Sequence, residues 1–521
     1  MRVLVLTGRL AEEAVRRTVE GMSDVDVLAL PVSVASFLTP RYVANVLGKM
    51  SLNRYDMILI PGTVSGDVSC VEEATGVPTF KGPVHFVDLP MVLSSNIQLS
   101  KTVPASDFIR DLAERRASEE IEAAENDWAD ILRLRGGITL GEGARRLPVS
   151  DGLPMRVLAE VVNAPTLTLK QIVDRAKYYQ SQGAQVIDIG MLAGNPRPET
   201  LAPIIDALRD AVDLPLSVDT LDPSEIRAAV DAGIDMILSV DAGNLDAAAP
   251  HIGDQAVVVL PTDMSRGHLP RTAGERVHAL AQNIERAREL GLNKIIGDLV
   301  VEPLLRPGLL TALESYRLFK NSHPEVPLLF GIGNATELID ADSTGVNAAL
   351  TALAREAGAC MLHVPEYSVK ARGSVAEVVR ASRMMYVAER RGSVLKDLGL
   401  DLLVLKEKRW KEEAYEPGVE ASAEMVHGSE NDDYKPDEAG WFKVQVDRGA
   451  GKIVALHYPP GRKEPATIVK GGDAREVYQT IVRLGLVTKL DHAAYLGKEL
   501  AKASIALRLG RSYQQDVDLF G

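Results

Sequence analysis

The chain has 521 residues, 46% hydrophobic and 25% charged, with a formal net charge of −14 at pH 7. That length exceeds one core and implies about three units, while the composition is that of an ordinary soluble globular protein. The negative balance excludes a general nucleic-acid binder, which needs a basic stripe to displace counterions, and it argues against an anionic membrane surface.

No apolar run approaches the roughly 20 residues that span a bilayer, and the apolar part of Met1–Gly8 is too short for a secretory leader. Cys70 and Cys360 lie far apart without metal spacing, so neither a disulfide framework nor a zinc site is indicated. The expected location is the cytoplasm.

Residues 1–104 read as a small α/β domain. Val3–Leu6, Val25–Leu30 and Met57–Ile60 are short apolar strands, with helical periodicity over Leu10–Glu20 and Arg41–Leu47. The loop Pro61–Asp67 offers amides to an anion, but no Lys-Ser/Thr completes a phosphate loop, so a strand-to-helix turn is expected. Residues 105–149 are charged and helix-prone and read as a linker helix.

From 150 to 395, apolar runs alternate with helix patterns. Asn163 ends the first run, and Asp188, Asp219, Asp241, Asp263 and Asp298 end later ones. Further strands are expected at Pro327–Gly331 and Cys360–Val364, with helices including Gly274–Leu290 and Val346–Glu356. Strand then helix, repeated about eight times, predicts an α/β fold built on a (β/α)8 TIM barrel. The C-terminal strand ends of such a barrel converge on one mouth, and a ring of ionised carboxylates there suits a ligand rich in N–H donors.

Each aspartate has a second reading, as a cap of its own βα loop. Gly190 lets the backbone come close to a ligand or a neighbouring loop. Gly331-Ile-Gly333-Asn334-Ala-Thr336 follows the seventh strand, where this barrel class binds phosphate through loop amides. His363, ending the eighth strand, is either a satisfied core-edge histidine or a catalytic one. No Ser/His/Asp or Cys/His arrangement can be assembled from the rest.

The acidic stretch within 396–440 is poor in branched aliphatics and reads as a linker. Residues 441–521 read as an α+β module. Trp441–Val446 and Ile453–Tyr458 flank the turn Asp447–Gly451, followed by helices Asp473–Leu484 and Asp491–Leu509 with Asp473 and Asp491 as N-caps. Tyr495, Leu496 and Leu500 are expected in its core. His492 gains nothing from the helix dipole when protonated, so it is expected neutral, serving a partner or the barrel mouth.

Residues from about 155 to 390 resemble the pterin-binding barrel shared by dihydropteroate synthase and corrinoid-linked pterin methyltransferases. The matching pieces are Asn163-Ala-Pro165, Gly183–Gly190, Leu216–Thr220, Ala232–Leu238 and Ile296-Gly-Asp298. With Leu6–Ala11 and Leu490–Gly497 as flanking pieces, the whole chain resembles the dihydropteroate synthase-like proteins of organisms that use tetrahydromethanopterin. The resemblance implies that Asp298 accepts from the pterin ring N–H and exocyclic amine, with Asp219 a second pterin-facing acid. It implies that Asn163 lies near the diphosphate and ligates Mg2+, and it matches Arg197-Pro198, across a longer loop, to the synthase's Arg-Pro. Asp188, Asp241, Asp263, Gly333 and Asn334 complete the candidate substrate-binding set.

The departures concern one polar pterin contact, at Leu238, and the cations of two loops. Leu238 replaces an asparagine, Gly333–Thr336 replaces a lysine-bearing loop, and the strand-eight end reads His363-Val-Pro365 where the synthase has an arginine and a histidine. Missing cations weaken diphosphate binding, because charge-assisted contacts are the strong ones.

The resemblance implies a transferase that joins a reduced pterin diphosphate to an arylamine in tetrahydromethanopterin formation, with Mg2+ as cofactor. The alternatives are methyl transfer with a corrinoid partner, suggested by Gly331–Leu338 and Glu366-Tyr-Ser368, and a non-catalytic pterin carrier. A biosynthetic protein partner and a homodimer are candidate assemblies.

Overall fold

The computed structural model describes residues 1–84, 86–95, 97–396, 398–407, 415, 420, 422–429 and 435–520, with backbone alone at 36, 87 and 109–113. Most of 408–434, within the expected linker, lies outside the described residues. The chain divides into two units, Met1–Glu413 and Ala414–Gly521. No described helix is long and apolar enough to cross a membrane.

The first unit begins with a parallel sheet of β1 (Val3–Gly8), β2 (Val25–Leu30), β3 (Met57–Ile60) and β4 (Thr79–Lys81), in the order β2-β1-β3-β4. Helices α1 (Glu12–Thr18), α2 (Pro40–Leu47), α3 (Ser69–Thr75) and α4 (Leu89–Ser94) accompany it. All six residues of β1 are buried because both sheet faces are covered. Leu4, Leu6, Ile58 and Ile60 face one core, and Val3, Val5, Met57 and Leu59 the other.

Residues 105–149 hold α5 (Ala105–Asn126), α6 (Trp128–Arg135) and a hairpin of β5 (Ile138–Leu140) and β6 (Leu147–Val149). On α5, Ala117 and Ala124 pack with Leu153, Met384 and Val387 beside the barrel. Leu140 and Val149 of the hairpin join the residues that fill the barrel interior. Arg156, 1% exposed, donates to both carboxylate oxygens of Glu125 and to the carbonyl of Pro148, fastening α5 and the hairpin to the first barrel strand.

The barrel strands are β7 (Arg156–Val161), β8 (Val186–Gly190), β9 (Leu216–Asp219), β10 (Met236–Val240), β11 (Ala256–Val259), β12 (Ile295–Gly297), β13 (Leu329–Gly331) and β14 (Met361–Pro365). They pair in parallel in the order β12-β11-β10-β9-β8-β7-β14-β13, and a parallel bridge from Gly297 to Leu328 closes the ring. Around it lie α7 (Leu169–Ser181), α8 (Leu201–Arg209), α9 (Pro223–Asp231), α10 (Leu245–Ala248), α11 (Ala273–Glu289), α12 (Leu309–Ser322), α13 (Gly333–Thr336), α14 (Ser343–Glu356) and α15 (Ser374–Arg391). Their apolar stripes pack on the outer faces of the strands, as with Ile172, Ile205, Ile226, Leu280, Phe319 and Val378. The expected (β/α)8 barrel is therefore present, preceded in the chain by an N-terminal α/β sheet and followed by a C-terminal module.

The second unit is an antiparallel sheet of β15 (Trp441–Asp447), β16 (Lys452–Tyr458) and β17 (Thr467–Gly471), with α16 (Ala474–Arg483) and α17 (Leu490–Leu509). Phe442, Val444, Ile453, Val469, Val477, Ile481, Leu496 and Leu500 form its core, with Tyr495 packed at the margin. Asp473 caps α16 as expected. Asp491 does not cap α17: it lies in the first turn, and the N-cap is Lys489, without a side-chain cap. The capping acid comes from outside the helix. Asp437 accepts from the amides of Thr488 and Lys489, the hydroxyl of Thr488 and Nδ1 of His492, so His492 is engaged within this unit.

Candidate functional site

Strand alternation decides which side chains enter the barrel. The inward layer of Leu158, Val186, Met236, Val258, Ile296, Leu329 and Met361 is apolar. Two residues on along the same strands, or at their ends, come Glu160, Asp188, Asp298, Gly331 and His363, and register places Asp219 on the same face, opposite Leu238. The barrel is thus plugged with aliphatic side chains and turns acidic at its mouth.

Within this layer, Glu160, Asp188, Asp219 and His363 bring one donor atom each to within 4.8 Å of one another. Nε2 of His363 lies 3.3 Å from Glu160 Oε2 and 3.5 Å from Asp188 Oδ2. These are ion-pair distances, yet Nε2 and Asp188 Oδ2 are both buried without a hydrogen bond. The other oxygen of Asp188 accepts from the Ser217 hydroxyl. Gly190 leaves the space that the Glu160 carboxylate occupies: a Cβ on it would lie 2.1 Å from Glu160 Oε1 and displace that side chain.

Asp219 and Asp298 present free acceptors. Neither oxygen of Asp219 has a hydrogen-bond partner among the described residues, and Asp298 uses Oδ1 alone, accepting from the Val300 amide (2.7 Å) and the Tyr316 hydroxyl (2.5 Å). The loop carrying Asp298 is gripped by buried Arg276 of α11, which donates to the carbonyls of Leu299 and Val300 and to Glu302. Burial raises the Asp298 carboxyl above its ordinary range despite those two hydrogen bonds. Burial raises Asp219 well above it, reinforced by the charges of Asp188 and Glu160. Burial also raises Asp188, against the opposing effect of His363. Burial works against a charged His363, but Asp188 and Glu160 outweigh it and push the imidazole well above its ordinary value. A carboxylate accepts from N–H donors, and a protonated carboxyl can also donate to a carbonyl.

The remaining expected residues sit elsewhere. Asp241, 1% exposed, accepts from the Gly243 and Met264 amides and the Thr262 hydroxyl, so it organises two loops. Asp263 bonds Ser265 and pairs with Arg266 at 3.5 Å. Asn163 adopts a left-handed conformation (φ 53°) just past β7, its amide without a partner among the described residues. The Arg197 amide donates to Glu225, and its half-exposed side chain lies 3.9 Å from Glu199. Asn334 donates to the carbonyl of Val301, and Gly333 lies against Pro365, where a Cβ would meet Cδ at 2.2 Å.

Glu160 was not selected from the sequence. Its signal is an acid two residues beyond inward Leu158, within the otherwise apolar run Val157–Val161. Tyr316 and Arg276 lie on helices and are found through tertiary contact alone.

Three family models match separate parts of the chain: DUF6513, a family of unknown function, over residues 1–84; pterin binding enzyme over 163–365; and PterinBD-DUF4346 over 436–516. A Synechocystis dihydropteroate synthase is 33% identical over 88 residues, covering 15% of this chain and 30% of that one. The solved Yersinia pestis dihydropteroate synthase with a pterine-sulfa conjugate covers 49% of this chain and 100% of its own, at 22% identity and a TM-score of 0.38. Residues 163–365, which hold most of the parallel barrel, match the pterin binding enzyme family model. The full chain belongs to the family of the uncharacterized protein MJ0107 of Methanocaldococcus jannaschii, 39% identical over 100% of this chain and 99% of that one.

Proposed function

We propose that the barrel mouth binds a reduced pterin through Asp219 and Asp298, and that the protein is a transferase joining a 6-hydroxymethylpterin diphosphate to an arylamine in tetrahydromethanopterin formation. The observation that carries this reading is the pair of half-buried acids with unused carboxylate oxygens above an apolar barrel plug. A pterin offers its ring N–H and exocyclic amine to such acceptors and its flat face to apolar walls. The chemistry asks little covalent help: the protein holds the pterin, positions the amine and steadies the departing diphosphate. Asn163, Arg197 and the amides of Gly333 and Asn334 are the groups proposed to face those oxyanions, since the amides of Ile332, Ala335 and Thr336 already donate to the carbonyls of His363 and Ile332. Asn163 offers one neutral oxygen to Mg2+, so diphosphate and water would supply the other ligands, in keeping with the habits of that ion.

Incubation with the pterin diphosphate and an arylamine, monitored by diphosphate release, tests the transfer. Release that falls steeply in Arg197→Ala supports it; no release from the wild type contradicts it. A second reading, methyl transfer from a methylated pterin to a corrinoid partner, is favoured by the mouth layer itself, whose one cationic side chain among the described residues is His363. Wild-type demethylation of a methylpterin in the presence of a corrinoid protein, without diphosphate release, would establish that alternative.

A further inference from the structure

We propose that Glu160, Asp188, Asp219 and His363 form a site for a divalent transition-metal ion at the barrel mouth. Four strands, β7, β8, β9 and β14, deliver one donor each, and among the described residues no other group of carboxylate, histidine and cysteine side chains gathers its ligand atoms in this way. Clustered acids alone do not make a site; two further features point to a ligand. Asp188 Oδ2 is fully buried and has no hydrogen bond, while Ser217 fixes the other oxygen. His363 Nε2 faces two carboxylates yet meets hydrogen-bond geometry with neither.

An ion among these atoms would satisfy both orphaned groups and screen three carboxylates from one another. Opposite ligands at ordinary bond lengths lie about 4.2 Å apart across a metal. The donors, within 4.8 Å of one another, would draw in by about half an ångström for a trans pair of an octahedral shell and by somewhat more than about 1 Å at most for a tetrahedral one, where ligands lie about 3.4 Å apart. The mixed donor set selects the ion. Mg2+ and Ca2+ take oxygen ligands, whereas one imidazole with carboxylates suits Mn2+, Fe2+, Co2+ or Zn2+. The site stands independently of the pterin reading; Asp219 is the residue common to both.

The test uses the full chain, stripped of metal and titrated with Co2+ by visible absorption and with Mn2+ by electron paramagnetic resonance. One ion per chain is expected, retained against excess Mg2+, with spin-echo modulation from an imidazole nitrogen in the Mn2+-loaded wild type. Asp188→Asn and His363→Gln should each weaken Co2+ binding by about tenfold or more, with circular dichroism reporting that they fold. Absence of a saturable Co2+ signal, absence of the nitrogen coupling, or unchanged affinity in folded variants would overturn the proposal. Asp298→Asn separates the two readings: it should lower pterin affinity while Co2+ still binds, and a wild type that binds Co2+ but no pterin defeats the pterin reading alone.

Discussion

Asp241 and Asp298 look equivalent along the chain, each closing an apolar run before a helix, but their oxygens are used differently. Both oxygens of Asp241 are engaged by loop donors, whereas Asp298 leaves Oδ2 open. Asp241→Ala should therefore cost about 1–3 kcal/mol of stability by leaving buried donors unpaired, read as a lowered urea midpoint, with pterin affinity retained in the folded fraction. Asp298→Asn keeps an oxygen for Val300 and Tyr316 but turns an amide donor toward the ligand. It should lose about 1–3 kcal/mol of pterin binding with little change in stability. If Asp241→Ala instead abolished pterin binding at full stability, the division between loop cap and ligand acceptor would be wrong. The sequence could not make this division, because hydrogen-bond partners such as Thr262 and Tyr316 are set by tertiary packing rather than by spacing.

At the scale of elements, periodicity carried most of the barrel. Its aliphatic runs and the Gly274–Leu290 and Val346–Glu356 patterns correspond closely to β7–β14, α11 and α14. Short elements with weak periodicity did not show: the β5–β6 hairpin and β17 acquire order by packing on neighbours, as Leu140 and Val149 do against the barrel interior. The joint between α5 and β7 is the Arg156–Glu125 pair. Glu125→Ala leaves a buried guanidinium without its anion and should cost about 3 kcal/mol, the low end for a broken buried pair because Glu125 is partly in water; chemical denaturation measures it.

In the C-terminal unit, burial alone would raise the Asp437 carboxyl. The donors aimed at it, from Thr488 foremost and also Ala439 and His492, outweigh this and hold it far below the ordinary range. A depressed folded-state value stabilises fully above the unfolded value of about 3.9 and is lost as pH falls below it. The unit should accordingly weaken on acidification from about pH 5 downward, and Asp437→Asn should be less stable at neutral pH with a flatter acid limb in thermal melts. An identical acid limb in that variant would remove Asp437 as its cause.

For the whole molecule, the order of parts was legible because each has its own periodicity: a parallel α/β sheet, a barrel and an antiparallel α+β module. The mouth was half legible. Asp219 and Asp298 stood out at strand ends, while Glu160 was hidden because an inward acid within a strand declares itself only once register is known. The two units have separate cores. A chain ending at about residue 435 should therefore remain folded and keep its pterin affinity, checked by circular dichroism and calorimetry; loss of transfer with binding intact would assign the C-terminal unit a part in turnover. Calorimetric titration of the full chain with a reduced 6-hydroxymethylpterin tests whether the acidic mouth of the barrel is a pterin site. One saturable site per chain is expected, weakened by about fivefold or more in Asp298→Asn. No heat of binding in the wild type, or equal affinity in the variant, would contradict it.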